Sequence, residues 1–176
     1  MKKIILTVAA VFAFGFANAQ DKKESSGNQT SKGKLLIEAN TGNAMLGNTG
    51  FYFASSDGES SYNIGLDGGY FVMDNLALKA GLGYGGDSAT DSNTLSYRLG
   101  AKYYAMGNIP LTLDFTGASI KDAVENPMWL GIGGGYAIFL GDNVSIEPGV
   151  RYNHSLNENF TDKGVFQLNV GFALHF

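Results

Sequence analysis

The chain has 176 residues, 44% of them hydrophobic, with twelve bases against sixteen acids, 25 glycines, three prolines and no cysteine. An acidic chain with no basic cluster outside its N-terminal tail is a poor nucleic-acid binder, and without cysteine it has neither disulfides nor the lipid-attachment residue of a lipoprotein. The glycine content disfavours long helices, and past residue 19 no apolar run approaches the ~18 residues of a transmembrane helix.

At the start, Lys2 and Lys3 precede an apolar run, 4–16, and the small-residue sequence Ala17-Asn18-Ala19 before Gln20. This reads as a secretory signal peptide, residues 1–19. Its removal takes 19 of 176 residues and two of the twelve bases, leaving 157 residues at net charge −6, a length that suits one domain. Residues 20–33, QDKKESSGNQTSKG, are polar and aperiodic and read as a disordered periplasmic leader. The remaining 34–176 form the domain.

That domain alternates. Leu35, Ile37 and Ala39 interleave with Leu36, Glu38 and Asn40, the period of two that marks a strand. A Gly/Asn-rich interval follows, after which 51–53 either continues strand one or belongs to a loop hairpin. Further strands are expected at 62–72, 76–84, 94–104, 111–118, 128–140, 144–154 and 165–176, which makes eight. Connections at 73–75, 106–110 and 141–143 are tight turns, whereas 85–93, 119–127 and 155–164 are longer and polar. The hairpin 65–84 resembles 131–152, with a weaker third copy at 99–114. Repeated hairpins with short turns at one end and long loops at the other suit an all-β, eight-stranded antiparallel up-and-down barrel.

Charge placement decides which side of that barrel is wet. The apolar parity of each strand defines one face. Glu38, Asp67, Lys79, Arg98, Lys102, Asp114, Glu147 and Arg151 all fall on the other. With faces independent of charge, eight such placements occur about once in several hundred tries. Four acids and four bases inside, with Leu, Ile, Phe and Tyr outside, make an inverted protein for which lipid is the stabilising solvent. Tyr62, Tyr70, Tyr84, Tyr97, Tyr103, Tyr136 and Tyr152 lie near strand ends on the outer face, as in interfacial aromatic belts. An eight-stranded interior is just wide enough for side chains, so the charges are expected to be paired into a plug; the alternative is a gated polar path.

The ending Asn169-x-Gly171-x-x-Leu174-x-Phe176 resembles the C-terminal signal read by the outer-membrane barrel assembly machinery. With the signal peptide and eight amphipathic strands, residues 34–176 resemble small outer-membrane β-barrel proteins of the OmpX, OmpA and OmpW type, and the hairpins GYFVMDNLAL and GYAIFLGDNVSIEPGVRY resemble their Bacteroidetes-type variants. The resemblance implies a transmembrane barrel in the outer membrane with periplasmic termini. It implies lipid and lipopolysaccharide as surroundings, and the assembly machinery and periplasmic chaperones as partners in biogenesis. No nucleic acid and no cofactor are implied.

Other candidate chemistry is thin. The glycines at 131–135 lie within a strand with no helix after them, so a phosphate loop is excluded, and they are expected to make room for Phe71, Trp129 and Phe139. His154, near Ser155, Glu158 and Asp162, is the one residue to consider for a surface hydrolase or acyltransferase, but its spacing demands no such site. His175 faces inward near the periplasmic mouth, and two histidines do not make a metal site. Pro148 removes a ladder N–H in mid-strand opposite Gly133 and Gly135; a bulge or kink is expected, with a lateral opening for apolar solutes as the alternative. The long loops carry Asp57, Glu59, Asp87, Asp91, Asp122, Glu125, Glu158 and Asp162, an acidic rim. The function expected is an integral outer-membrane barrel with a salt-bridged polar lumen and a structural or surface-interaction role, not an enzyme. The alternative is a narrow porin-like channel with lateral exit near Pro148.

Overall fold

The computed structural model describes residues 29–176; the expected signal peptide and most of the leader lie outside the described residues. Among the described residues the strands are β1 (Leu35–Asn40), β2 (Tyr52–Ser56), β3 (Glu59–Met73), β4 (Leu76–Asp87), β5 (Ser92–Ala105), β6 (Ile109–Ile120), β7 (Met128–Gly135), β8 (Ile138–Phe139), β9 (Val144–Ser155) and β10 (Val165–His175). All pair antiparallel with their neighbours in sequence or across a break. β1 closes the sheet by pairing with β10 on one side (Leu36 opposite His175, Asn40 opposite Gly171) and β3 on the other (Leu35 opposite Tyr70, Glu38 opposite Asp67). The result is a closed eight-stranded up-and-down barrel, because two of the eight wall lines are each built from two pieces.

The first composite line is β1 with β2. Glu38 faces Asp67 and Tyr52 faces Asn63, so fourteen residues along the first line cover four along β3. The ten surplus residues, 41–50, are looped out, and the segment 51–56 resumes strand one, which settles the ambiguity at 51–53. The other is β7 with β8. Gly135 faces Gly149 and Ile138 faces Ile146, a single register with no bulge. The two-residue interruption lies where Pro148 has no N–H to give.

Turn chemistry explains the hairpins. Asp57 and Gly58 both have positive φ, 53° and 86°, the conformation that a two-residue turn between right-twisted strands requires. Met106 (φ 53°) and Gly107 (φ 79°) take the same conformation in the three-residue connection between β5 and β6. Most strands run past the limits read from alternation, β3 from Glu59 and β6 to Ile120, because the Ser, Thr and Asp residues flanking the loops keep pairing above the apolar belt. Residues 29–33, expected as part of the leader, are held at the turn end of the barrel. Gly33 N–H bonds the Phe71 carbonyl at 2.8 Å, Lys32 N–H bonds Asp74 Oδ1 at 2.8 Å, and buried Thr30 donates to Asn75 Oδ1 at 2.5 Å.

Candidate functional site: a charged lumen and its inserted loop

Alternation sends every second side chain of the eight lines into the lumen, and the eight charges meet there. Each is at most 9% exposed. They form one unbroken chain of alternating sign: Glu147, Lys102, Glu38, Lys79, Asp67, Arg98, Asp114, Arg151. Lys102 bridges Glu147 and Glu38. Lys79 bridges Glu38 and Asp67, the latter at 3.3 Å. Arg98 reaches Asp67 at 2.6 Å and, through Nε, Asp114 at 3.6 Å. Arg151 holds Asp114 with two bonds, 2.7 and 2.5 Å. The chain is neutral overall, and every member except the two at its ends touches two opposite charges. Alternation of this kind is how a buried ionic array offsets desolvation; deleting one member leaves an uncompensated charge.

Of the looped-out residues, those after Gly42 enter the lumen and join this array, while Thr41 stays in the wall with its N–H on the Val170 carbonyl. Asn43 caps a single 3-10 turn, Ala44–Leu46, by accepting from Met45 N–H at 2.8 Å. Arg98 Nη2 donates to Asn48 Oδ1 at 2.6 Å, and Thr49 donates to Asp67 Oδ1 at 2.5 Å. The Leu46 carbonyl accepts from Asn153 at 2.6 Å and Gln167 at 3.2 Å on the opposite wall. The barrel is thus crossed from β10 to β5 by its own chain. Glycines on β3 and β4 make this possible: a Cβ on Gly65 would stand 1.2 Å from the Thr49 carbonyl oxygen, and one on Gly83 2.9 Å from it. The glycines of β7 serve a different group from the aromatic side chains expected, since a Cβ on Gly131 would meet the Arg151 guanidinium at 1.8 Å.

Toward the turn end the lumen changes from ionic to apolar. Leu36, Phe71, Ala77, Tyr104, Ala137 and Ala173 form a buried cluster with Phe139 against it, and His175 stacks on Phe71 with ring centroids 6.1 Å apart. Tyr104 joins the two zones by donating to Glu147 Oε1 at 2.8 Å; Ser145 also donates there and lies 3.1 Å from His175 Nε2. Among the charged side chains a cavity of about 50 Å³ remains, lined by Glu38, Lys102, Asp114, Arg151, Asn169 and the glycines 133–135 among others, room for a few waters.

The outer wall is the reverse. Leu66, Leu78, Leu99, Leu113 and Ile132 are each more than half exposed. The seven outer tyrosines form two exposed sets, Tyr62, Tyr84, Tyr97 and Tyr152 toward the loops and Tyr70, Tyr103 and Tyr136 toward the turns. Leu174 and Phe176 point outward at the turn end, while Asn169 and Gly171 face the interior side. At Pro148 the wall is thinned without a change of register: the ladder lapses at Tyr136 and Ala137, but Tyr136 N–H still bonds the Pro148 carbonyl at 3.0 Å. His154 is exposed on the outer face, and Ser155, its neighbour in the strand, is buried on the inner one, so these two do not form a base–nucleophile pair. Among the described residues no group of three or more metal-type ligands exists.

Tyr104, Ser145, Asn48 and Thr49 are among the residues that touch the array and that the sequence reading did not single out. For Tyr104 and Ser145 the parity was available, since each shares the inward set of its strand with Lys102 or Glu147. For Asn48 and Thr49 the sequence carries only a pair of glycines flanking them.

No family model and no curated protein matches this chain. Among solved structures it is similar to a de novo designed transmembrane β-barrel (15% identity, covering 83% of this chain and 98% of the other, TM-score 0.45). It is also similar to the N-terminal β-barrel domain of OprF from Pseudomonas aeruginosa (17% identity, 82% and 98%, TM-score 0.47) and to Neisserial surface protein A (17% identity, 81% and 96%, TM-score 0.47).

Proposed function

We propose that the chain is an integral outer-membrane barrel whose lumen is a closed, salt-bridged plug, with a structural or surface-interaction role in the cell envelope. The observation that carries this reading is the joint arrangement of a neutral, fully paired ionic array inside and an apolar wall between two tyrosine belts outside. Only a lipid surround makes that wall stable. The inserted loop and the apolar cap, which leave about 50 Å³ among the charged side chains and about 150 Å³ against Asn43, Ala44 and Met45 of the loop, favour a plug over a pore. In this reading the signal peptide delivers the chain to the periplasm, chaperones carry it, and the assembly machinery reads Asn169, Gly171, Leu174 and Phe176. Both termini are then periplasmic, and the acidic loop rim faces outward among lipopolysaccharide.

Conductance in planar bilayers tests it. The wild-type chain is expected to give no single-channel steps, and replacing residues 43–49 with a Gly-Ser pair is expected to produce them. Steps in the wild type that vanish in Arg98→Ala or Glu147→Ala would overturn the plug. The second reading, a narrow path for small solutes with exit near Pro148, is favoured by the lapsed ladder there and by a cavity that reaches the glycines 133–135 and Gly149. It requires those wild-type steps.

A further inference from the structure

The wall carries two unpaired strand edges that face each other. At the level of Thr41 the barrel is one strand too wide. Thr41 N–H bonds the Val170 carbonyl at 2.9 Å, and on its other side the chain bonds Phe51, with Gly42 N–H to the Phe51 carbonyl at 2.9 Å and Phe51 N–H to the Asn40 carbonyl at 2.5 Å. Thr41 and Phe51 lie side by side as a parallel bridge. Two segments therefore stand between β10 and β3 where one stands below. Above this level the first of them turns into the lumen at Gly42. β2 follows β3 from Tyr52 opposite Asn63 to Ser56 opposite Glu59, and the upper part of β10, residues 165–169, pairs with β9. Among the described residues no ladder joins β2 to β10. With strands about 4.8 Å apart, the two edges are separated by roughly 9.6 Å at the Thr41 level, a gap one strand wide.

Both edges have the chemistry of an interface. Leu35, Ile37 and Ala39 bond toward β10 in alternation with their neighbours, and that alternation, continued past Val170, aims the N–H and C=O of Leu168 and Phe166 into the seam. Leu168 (80% exposed), Phe166 (67%) and Phe53 (73%) flank it on the outer face. The edge sequences, YFASS and VFQLN, carry no charge and no proline, the devices by which natural edge strands avoid pairing. Phe53 is opposite Tyr62 and Phe166 opposite Tyr152, so the seam runs up through the loop-side tyrosine belt. Its lower part, about Phe51 and Leu168, reaches hydrocarbon, where an open edge leaves backbone groups unsatisfied and a lipid tail supplies no donor or acceptor. Only another strand edge does.

We propose that the seam is the interface of a homodimer, in which β2 of one copy pairs with the upper part of β10 of a second copy and the reverse pairing closes the other seam. This inference rests on the membrane reading above. A second copy fits for a directional reason. β2 ascends toward the loop end and β10 descends from it, so a β2–β10 pair is antiparallel, whereas β2–β2 or β10–β10 pairs are parallel in two copies inserted the same way up. A two-fold axis along the membrane normal preserves that common orientation and closes both seams at once, leaving no edge open. Within one copy the edges do not meet, because residues 40–42 and 51 are wedged between them.

The absence of cysteine in the native chain makes the test direct. Phe51 stands level with Val170 through Thr41, so Phe53 stands level with Leu168. Two differently tagged chains, Phe53→Cys and Leu168→Cys, are co-reconstituted into phospholipid vesicles and oxidised. The expected result is a covalent heterodimer roughly tenfold above that formed when Leu99→Cys, on the far wall, replaces either one, since disulfides form only at Cα separations of about 4.4–6.8 Å. Single-molecule photobleaching of the wild type is expected to show two copies. A heterodimer yield equal to the Leu99→Cys control, or an intramolecular link in the Phe53→Cys/Leu168→Cys double variant, overturns the proposal. Failure of the membrane reading is distinguishable, because the chain would then float free of the vesicles instead of remaining in them as a monomer.

Discussion

Arg98 donates to Asn48 at 2.6 Å while its other terminal nitrogen holds Asp67 at 2.6 Å, so one guanidinium fastens the inserted loop to the wall. The two contacts are separable by mutation. Asn48→Ala removes the hydrogen bond to the guanidinium and a second one, 3.1 Å, donated to the Thr41 carbonyl, and is expected to lower stability by about 1.5–3 kcal/mol. Arg98→Ala also breaks the ionic chain and is expected to lower it by about 3–5 kcal/mol. Urea unfolding from lipid vesicles measures both. Equal losses would mean that the ion pairs of Arg98 add nothing beyond its bond to the loop.

The bidentate pair of Arg151 with Asp114 invites a double-mutant cycle. Asp114→Leu strands Arg151 in a lumen where both are at most 7% exposed and is expected to destabilise by about 3–5 kcal/mol, whereas Arg151→Met leaves Asp114 with Arg98 at 3.6 Å and is expected to cost less. The double variant removes both charges and is expected to lose less than the larger single change, because Arg98 keeps Asp67 as its partner. A double loss equal to the sum of the singles would show the two residues acting independently.

How much of this could be read from the sequence depends on range. A strand's period of two ties Glu38, Asp67 and Lys79 to a face without knowledge of their partners, so the charged interior and the closing β1–β10 pair were both legible. The order of the charges along one alternating chain was not, because it depends on barrel stagger. Residues 41–50 were the hardest. TGNAMLGNTG has the composition of any surface loop, and its insertion is permitted by the missing side chains of Gly65, Gly81 and Gly83 on other strands. Pro148 read as a bulge because a proline in mid-strand usually forces one. Here the register survives, since Tyr136 still finds the Pro148 carbonyl and only one ladder donor is lost.

That dependence predicts the effect of filling the glycines. Gly65→Ala places a methyl 1.2 Å from the Thr49 carbonyl oxygen, and no rotamer relieves a clash with backbone. The loop must leave, and proteinase K is expected to cut within 42–50 in Gly65→Ala vesicles and to leave the wild type intact there. Gly58→Ala is the counterpart: its φ of 86° strains alanine by about 1–2 kcal/mol, but nothing lies within 4 Å of the added carbon. It is expected to lower stability without exposing the loop. Protection of 42–50 in Gly65→Ala would mean that β3 yields instead.

The outer wall supplies the sharpest discrimination between lipid and water as surroundings. Leu99 is 60% exposed, midway along β5 between Ala80 and Phe115, and touches no part of the lumen array. An arginine there in a water-facing wall changes stability by no more than about 0.5 kcal/mol. Near the bilayer midplane the same change is worth about 2–4 kcal/mol, falling to about 0–1 kcal/mol at the interface. Met106, 92% exposed in the turn that follows β5, provides the interfacial comparison. Reversible unfolding in thin phospholipid vesicles is expected to give a loss of about 2–4 kcal/mol for Leu99→Arg and about 0–1 kcal/mol for Met106→Arg. A flat profile across the two positions would place the apolar wall against something other than a bilayer, and with it would go the reason the charges face inward.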